Sequence, residues 1–216
     1  MNKIAPFLRR VLRYFYRRKL KNTDFSLITN NCIGGIICHD LHLRFLSPTI
    51  NLFFDDAEFI VFLKHLDEYL QLPVEECVDD CYDFPIGILK GSAGNVRVFF
   101  MHYKTFEEAV EKWNERKQRV NADNIFVIME GNSCSEKMLD DFDNLKLANK
   151  VVLTDGLHPN IRFSFPVLGD FYGKDYWHGK ILEYPQNGLH RYLECFDYVE
   201  FFNSGKIRKR CKKYKK

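Results

Sequence analysis

Three short stretches of this 216-residue chain hold residue types that can do chemistry. In Asn30-Asn31-Cys32-Ile33-Gly34-Gly35, two amides offer donors and acceptors and a thiol offers a nucleophile. Gly34 and Gly35 would let a ligand approach the backbone. The same run also reads as a tight turn whose asparagines satisfy local backbone groups, with Cys32 a small buried side chain. A nucleophilic Cys32 requires a base, and His102, His158 and His178 are the candidates. Arg116 and Arg119 stand three apart on a helical pattern, a spacing at which two guanidiniums can clamp a phosphate or carboxylate. Glu111, Glu115 and Arg119 stand four apart, which equally describes solvated ion pairs on a helix. Asn121 and Asp123 fall at the turn into the next strand.

Metal chemistry has suitable residue types but unsuitable spacing. Cys77-x-x-x-Cys81 and Cys38-His39-x-x-His42 lack the paired spacing of structural zinc modules. Asp141-Phe-Asp143 has the form of the DxD that holds a divalent ion in glycosyltransferases, yet it lies inside an amphipathic helical pattern. Neither G-x-G-x-x-G nor a Walker A sequence occurs, so no metal and no cofactor is expected.

The elements that must position these residues alternate in type. FSLIT (25–29) and TINLFF (49–54) read as strands, and a helix follows from Asp55 or Asp56 with Phe59, Ile60, Leu63, Leu66 and Leu70 on one face. Ile86–Lys90 and Val96–Met101 flank a Gly-containing turn and predict a hairpin. Thr105 and Ser135 have the positions of helix caps, and NIFVIM (124–129) and VVLT (151–154) read as buried strands. Strand and helix alternate from 96 to 154, which predicts parallel crossovers in a single Rossmann-like α/β domain. YVEFF (198–202) is read as a late strand. In such a sheet ligands favour the loops outside the carboxyl ends of strands, here 30–35, 130–134 and 155–158.

Charge is distributed unevenly. Residues 1–21 and 206–216 each hold eight Lys/Arg and no acid, leaving 16 basic against 29 acidic residues in 22–205, a formal −13. The first segment carries Ile4, Phe7, Leu8, Val11, Leu12 and Phe15 at helical spacing, the pattern of an interfacial helix or of a terminal helix packed on the domain with a solvated basic face. Together the basic ends 1–21 and 206–216 are expected to meet an anionic membrane surface. No run of about 18 uncharged apolar residues exists to span one. Seven scattered cysteines, with no apolar signal core at the start, predict reduced thiols and a cytoplasmic protein peripheral to the inner membrane face. The acidic body and the absence of a binding module argue against a specific nucleic-acid partner.

Several motifs in order carry a family likeness: FSLITNNCIGG (25–35), SPTINLFF (47–54), FIVFLKHLDEYL (59–70), FPIGILK (84–90), MHYKTFEEAVEKWNERKQRVNADNIFVIME (101–130) and NKVVLTDG (149–156). With them the chain resembles a bacterial family of exopolysaccharide and capsular polysaccharide biosynthesis proteins, over roughly residues 24–170. The family-like polar positions are Asn30, Asn31, Cys32, Gly34, Ser47, Pro48, Thr49, His102, Tyr103, Trp113, Arg116, Arg119, Asn121 and Asp123. One departure is Glu130-Gly-Asn-Ser-Cys134, where relatives carry an acidic-basic stretch. The resemblance implies surface-glycan work beside glycosyltransferases rather than a reaction.

The leading expectation is a transferase moving a sugar from a nucleotide donor to a lipid-linked glycan acceptor. Arg116 and Arg119 would neutralise the leaving phosphate, and His102 or Asp123 would act as base. Asn30, Asn31, Gly34, Gly35, Ser47, Thr49 and Asn121 complete the substrate-binding set. The other readings are acyl transfer to a glycan through Cys32, and a non-catalytic membrane-associated scaffold of the polysaccharide machinery. The single-site expectation places Cys32, His102, Arg116 and Asn121 around one pocket.

Overall fold

Strand residues 126–129 and 151–153 are apolar without alternation, the pattern of strands covered on both faces. The computed structural model describes residues 4–132, 134–167, 179–186 and 188–210. In chain order it contains α1 (Ile4–Lys19), β1 (Ser26–Thr29), α2 (Ile33–Asp40), α3 (Asp56–Lys64) and α4 (Leu66–Gln71). There follow β2 (Glu75–Cys77), β3 (Ile86–Gly91), β4 (Gly94–Phe99), α5 (Phe106–Lys117), β5 (Ile125–Glu130), α6 (Glu136–Asp143), β6 (Asn149–Thr154), β7 (Ser164–Pro166) and α7 (Tyr198–Ser204).

The fold is α/β, with a four-stranded parallel sheet in the order β1-β5-β6-β7. Successive side chains serve opposite faces. Ile28, Val127, Met129 and Val152 point into a core built with α3, α4, α5, α6 and the hairpin. Leu27, Phe126, Ile128, Val151 and Leu153 point into a second core closed by α2, α7 and the end of α1. The caps form as the sequence predicts: Thr105 Oγ1 accepts the Glu108 N–H at 3.2 Å and Ser135 Oγ accepts that of Met138 at 3.3 Å.

Four expectations are corrected. The hairpin pairs with β2 in a separate antiparallel sheet, so β4 is not part of the parallel sheet and β1 lies beside β5 instead. TINLFF is not a strand; it meets the hairpin through one bridge, Phe53 to Phe99. Residues 33–35, read as part of a turn over 30–35, instead open the helix α2. YVEFF lies in α7, whose N-cap Asp197 accepts the Glu200 N–H at 3.2 Å.

Candidate active site at the carboxyl edge of the parallel sheet

Asn30 stands one residue beyond β1, where the β1–β5 ladder runs out. Its side-chain amide continues that ladder: Oδ1 accepts the Glu130 N–H at 2.9 Å and Nδ2 donates to the Glu130 carbonyl at 2.9 Å. Nδ2 also donates to Asp56 Oδ1 at 2.8 Å, which ties the start of α3 to the sheet edge. Asn31 divides its amide between the Ile33 N–H, accepted at 3.0 Å, and the Glu130 carboxylate, to which Nδ2 donates. The Glu130 side chain is buried and also accepts from Asn132 Nδ2 at 3.3 Å and from the Gly179 N–H at 2.8 Å. A buried carboxylate persists only when donors surround it, and these three supply that shell.

Cys32 follows as the N-cap residue of α2. Its Sγ lies 3.2 Å from His102 Nε2, a side chain delivered by the turn after β4 from 70 residues away in sequence. Burial, and then the charge of Glu130, push the thiol up to about 11 from its ordinary value near 9. The sulfur at rest is therefore a thiol rather than a thiolate. With the imidazole proton on Nδ1, Nε2 accepts from the thiol. Iodoacetamide should consequently alkylate Cys32 slowly at neutral pH, where a thiol of this acidity is about 10²-fold less ionised than an ordinary cysteine. The rate should climb until pH approaches 11, and Glu130→Gln should lower that midpoint. A plateau near pH 8.5 would show an ordinary thiol instead.

At this edge of the sheet is a hollow of about 340 Å³, lined by Asn30, Asn31, Phe53, Phe54, Asp55 and Asp56 among others. A larger one of about 880 Å³ lies near Ala122 and Ile125, at the amino ends of the strands. The smaller hollow is the candidate site because Asn30 and Asn31, which line it, directly precede Cys32 at the edge where parallel sheets bind ligands. Cys134, which donates to Asp56 at 3.7 Å, is held protonated by burial and by that carboxylate.

The other sequence-selected residues divide into two groups. Ser47, Thr49 and Arg116 brace the site rather than contact a ligand. Thr49 Oγ1 accepts the Thr29 N–H at 3.1 Å, and Ser47 and Thr49 bond each other; both are buried. Arg116 donates to Tyr103 Oη at 2.6 Å and to the Ile50 carbonyl at 3.2 Å, fixing the turn that carries His102. Arg116→Ala should cost about 1–3 kcal/mol, readable by urea denaturation, because a half-buried hydroxyl and carbonyl lose a charged donor. Arg119 instead pairs with Glu115, one turn back on α5. The two arginines thus have separate partners and form no clamp.

Asn121 and Asp123 lie at the opposite end of the sheet. Asn121 Nδ2 donates to Asp24 and its N–H to Ser26 Oγ, at the amino end of β1 and ahead of β5. Of the four residues expected around one pocket, the structure brings Cys32 and His102 together, sets Arg116 against Tyr103 beside His102, and leaves Asn121 at the other end of the sheet. Asp123 is not placed to act as base. Gly34 and Gly35 serve packing, since they start α2 against β1 and the 50–51 loop. A Cβ on Gly34 would sit 2.8 Å from Thr29 Oγ1, and one on Gly35 3.2 Å from Asn51 Oδ1. The amides of Ile33 and Gly34 are engaged by Asn31 and Thr29, so they are not directed at a ligand.

His158 sits 3.1 Å from Glu136 rather than near Cys32, and His178 lies outside the described residues. Asp143 Oδ1 accepts the Phe163 N–H at 2.8 Å, a structural role. Among the described residues no group of three or more His, Cys, Asp or Glu is placed to hold a metal. As site residues, Glu130 and Asp56 go unmarked in the sequence, where Asp56 reads only as a helix start and Glu130 only as the head of the 130–134 loop. The signal for Glu130 was a lone acid closing an otherwise apolar strand at its carboxyl end.

Residues 4–203 match the family described as a domain of unknown function, DUF1919. The chain is also 34% identical over 198 residues to an uncharacterized protein of Haemophilus influenzae, the alignment covering 91% of each. The match runs through both layers of the fold and every residue of the carboxyl-edge site placed above. On this extent of agreement the chain belongs to the DUF1919 family.

Proposed function

We propose that this protein is a transferase that moves an acyl group through Cys32 to a sugar hydroxyl bound at the carboxyl edge of the sheet. The 3.2 Å contact between Cys32 Sγ and His102 Nε2 carries the reading. Sγ attacks the carbonyl carbon of an acyl thioester while Nε2 takes the thiol proton. The adduct collapses, and the donor's thiol leaves with that proton. The acceptor hydroxyl then attacks the acyl-cysteine; His102 receives its proton and returns it to Sγ.

The hollow supports a sugar as acceptor. Its carboxylates can accept from hydroxyl groups, half-buried Phe53 lies beside them, and about 340 Å³ is near the small end of ligand pockets. The surface-polysaccharide setting rests on the motif resemblance, and the six described cysteines, all free, suit a reducing cytoplasm. Sugar transfer from a nucleotide donor is the competing reading, and it retains His102 as base. Asp55, which holds Arg97 in an ion pair, Asp56 and the separated Arg116 and Arg119 are poor partners for a diphosphate. The test is a burst of nitrophenolate from p-nitrophenyl acetate, with the acetyl group mapped by peptide mass spectrometry. Acetylation at Cys32 supports the proposal; an unmodified Cys32 rejects it.

A further inference from the structure

Helix α1 is attached to the body by its arginines and presents its hydrophobic stripe outward, the reverse of a helix packed for burial. On the inner side, Arg13 pairs with buried Asp40 at 3.0 Å, and Arg9 donates to the Gly188 carbonyl at 2.8 Å while lying over the Tyr184 ring. Tyr16 and Leu20 enter the second core. On the outer side, Ile4 is 63% exposed, Phe7 64%, Tyr14 54% and Phe15 52%, and Leu8 is exposed as well. With half-buried Val11 between Leu8 and Tyr14, these residues stand three and four apart, so they form one continuous apolar arc rather than scattered surface hydrophobes.

The arc is rimmed by cations. Arg10, Arg18 and Lys19 are exposed on the same helix, Arg17 is half-buried, and residues 1–21 contain no acid to offset them. The C-terminal basic segment arrives at the same place. Lys209 bridges to Phe196, and the Arg210 guanidinium lies 4.0 Å over the Tyr16 ring of α1, leaving Lys206, Arg208 and Lys209 exposed. Two basic segments at opposite ends of the sequence are thus joined on one side of a body whose formal charge is −13. No described helix is long and apolar enough to cross a membrane.

We infer that α1 is an in-plane anchor that seats the protein on an anionic lipid surface. Exposed aromatic and aliphatic side chains enter the interface between headgroups and acyl chains, and the flanking arginines and lysines meet the lipid phosphates. The charge pattern selects this occupant. An apolar arc alone would suit another protein or a second copy, but a second copy would bring the same cations against this set.

Deleting α1 would remove Tyr16 and Leu20 from the core, so point variants on the outer arc provide the test. Full-length protein is mixed with vesicles of phosphatidylcholine alone or with about one-third phosphatidylglycerol, and flotation is measured against salt. Flotation is expected only with the anionic vesicles, with release as the salt concentration rises. The double variant Phe7→Glu/Phe15→Glu, with an unchanged circular dichroism spectrum, should remain at the bottom. Arg10→Gln should weaken partition about fivefold. Failure of the wild type to float, equal flotation with neutral vesicles, or a dimer in sedimentation that the double variant dissolves would each overturn the inference.

Discussion

Cys32→Ala is expected to abolish the acetyl-enzyme burst, and His102→Gln to slow it by about 10²–10⁴-fold, the range for loss of a positioned general base. Thermal midpoints should hardly change, because Cys32 is only partly buried and His102 lies on an exposed turn. The size of the His102 effect follows from the state of the thiol. Were Cys32 already ionised, a neighbouring imidazole would mainly hold the charge, and its removal would cost less at high pH. Burial and Glu130 keep the proton on sulfur up to about pH 11, so the proton has to be removed during attack. His102 Nε2 is the atom in reach of it. The defect of His102→Gln should therefore shrink as pH rises towards 11, where hydroxide ionises the thiol without assistance. A defect of constant size across that range would assign His102 a positioning role instead. Persistence of the full burst in Cys32→Ala would remove thiol chemistry from this protein altogether.

The sign of the same shift bears on folding. A thiol held above its ordinary value favours the native state below about pH 9, and this contribution is lost as pH rises through about 11. Measurements of the burst at high pH accordingly need a parallel unfolding curve for each variant. Glu130→Gln is the informative companion, since it removes the charge that opposes ionisation while leaving His102 in place.

What could be read from the sequence was mostly local. Thr105 and Ser135 announce helices because a cap hydrogen bond reaches only three residues, and the apolar runs of β5 and β6 announce buried strands by composition alone. The errors arose where one pattern served two structures. In 33–40 the apolar residues cover both sides of a buried helix, so no period marks it and the glycines at 34 and 35 read as a turn. In 198–202 the aromatic run suggested a strand, although Asp197 and Glu200 have the spacing of a cap and its first turn. TINLFF was apolar enough for a strand, but it is one of the segments that close over the sheet edge. The site was half legible for a similar reason. Asn30, Asn31 and Cys32 are contiguous, whereas their partners Asp56, His102 and Glu130 come from 26 to 100 residues away. The arginine spacing spans the end of α5 rather than one helix face: Arg116, on the helix, turns inward to Tyr103, and Arg119, beyond the C-cap Gln118, pairs back with Glu115.

Asn30→Ala should be the most damaging single change at the sheet edge, at about 3–5 kcal/mol. The substitution removes both bonds that join β1 to the backbone of Glu130, along with the donor to Asp56. Asn30 is 1% exposed, so water cannot readily replace the missing partners, and each stranded polar group costs about 1–3 kcal/mol. For a chain of this size the thermal midpoint should fall by roughly 10 °C. Asn30→Asp should be no better at neutral pH. Its carboxylate can still accept the Glu130 N–H, but it cannot donate to the carbonyl, and it brings a third charge beside Asp56 and Glu130. The control is Asn121→Ala at the other end of the same strands. Its bonds to Asp24 are exposed, so about 1 kcal/mol or less is expected and the burst should be untouched. If Asn30→Ala unfolded at the wild-type midpoint, the amide bridge would be incidental to the sheet. If Asn121→Ala instead lost the burst, the two ends of the sheet would be coupled and the site would extend beyond the carboxyl edge.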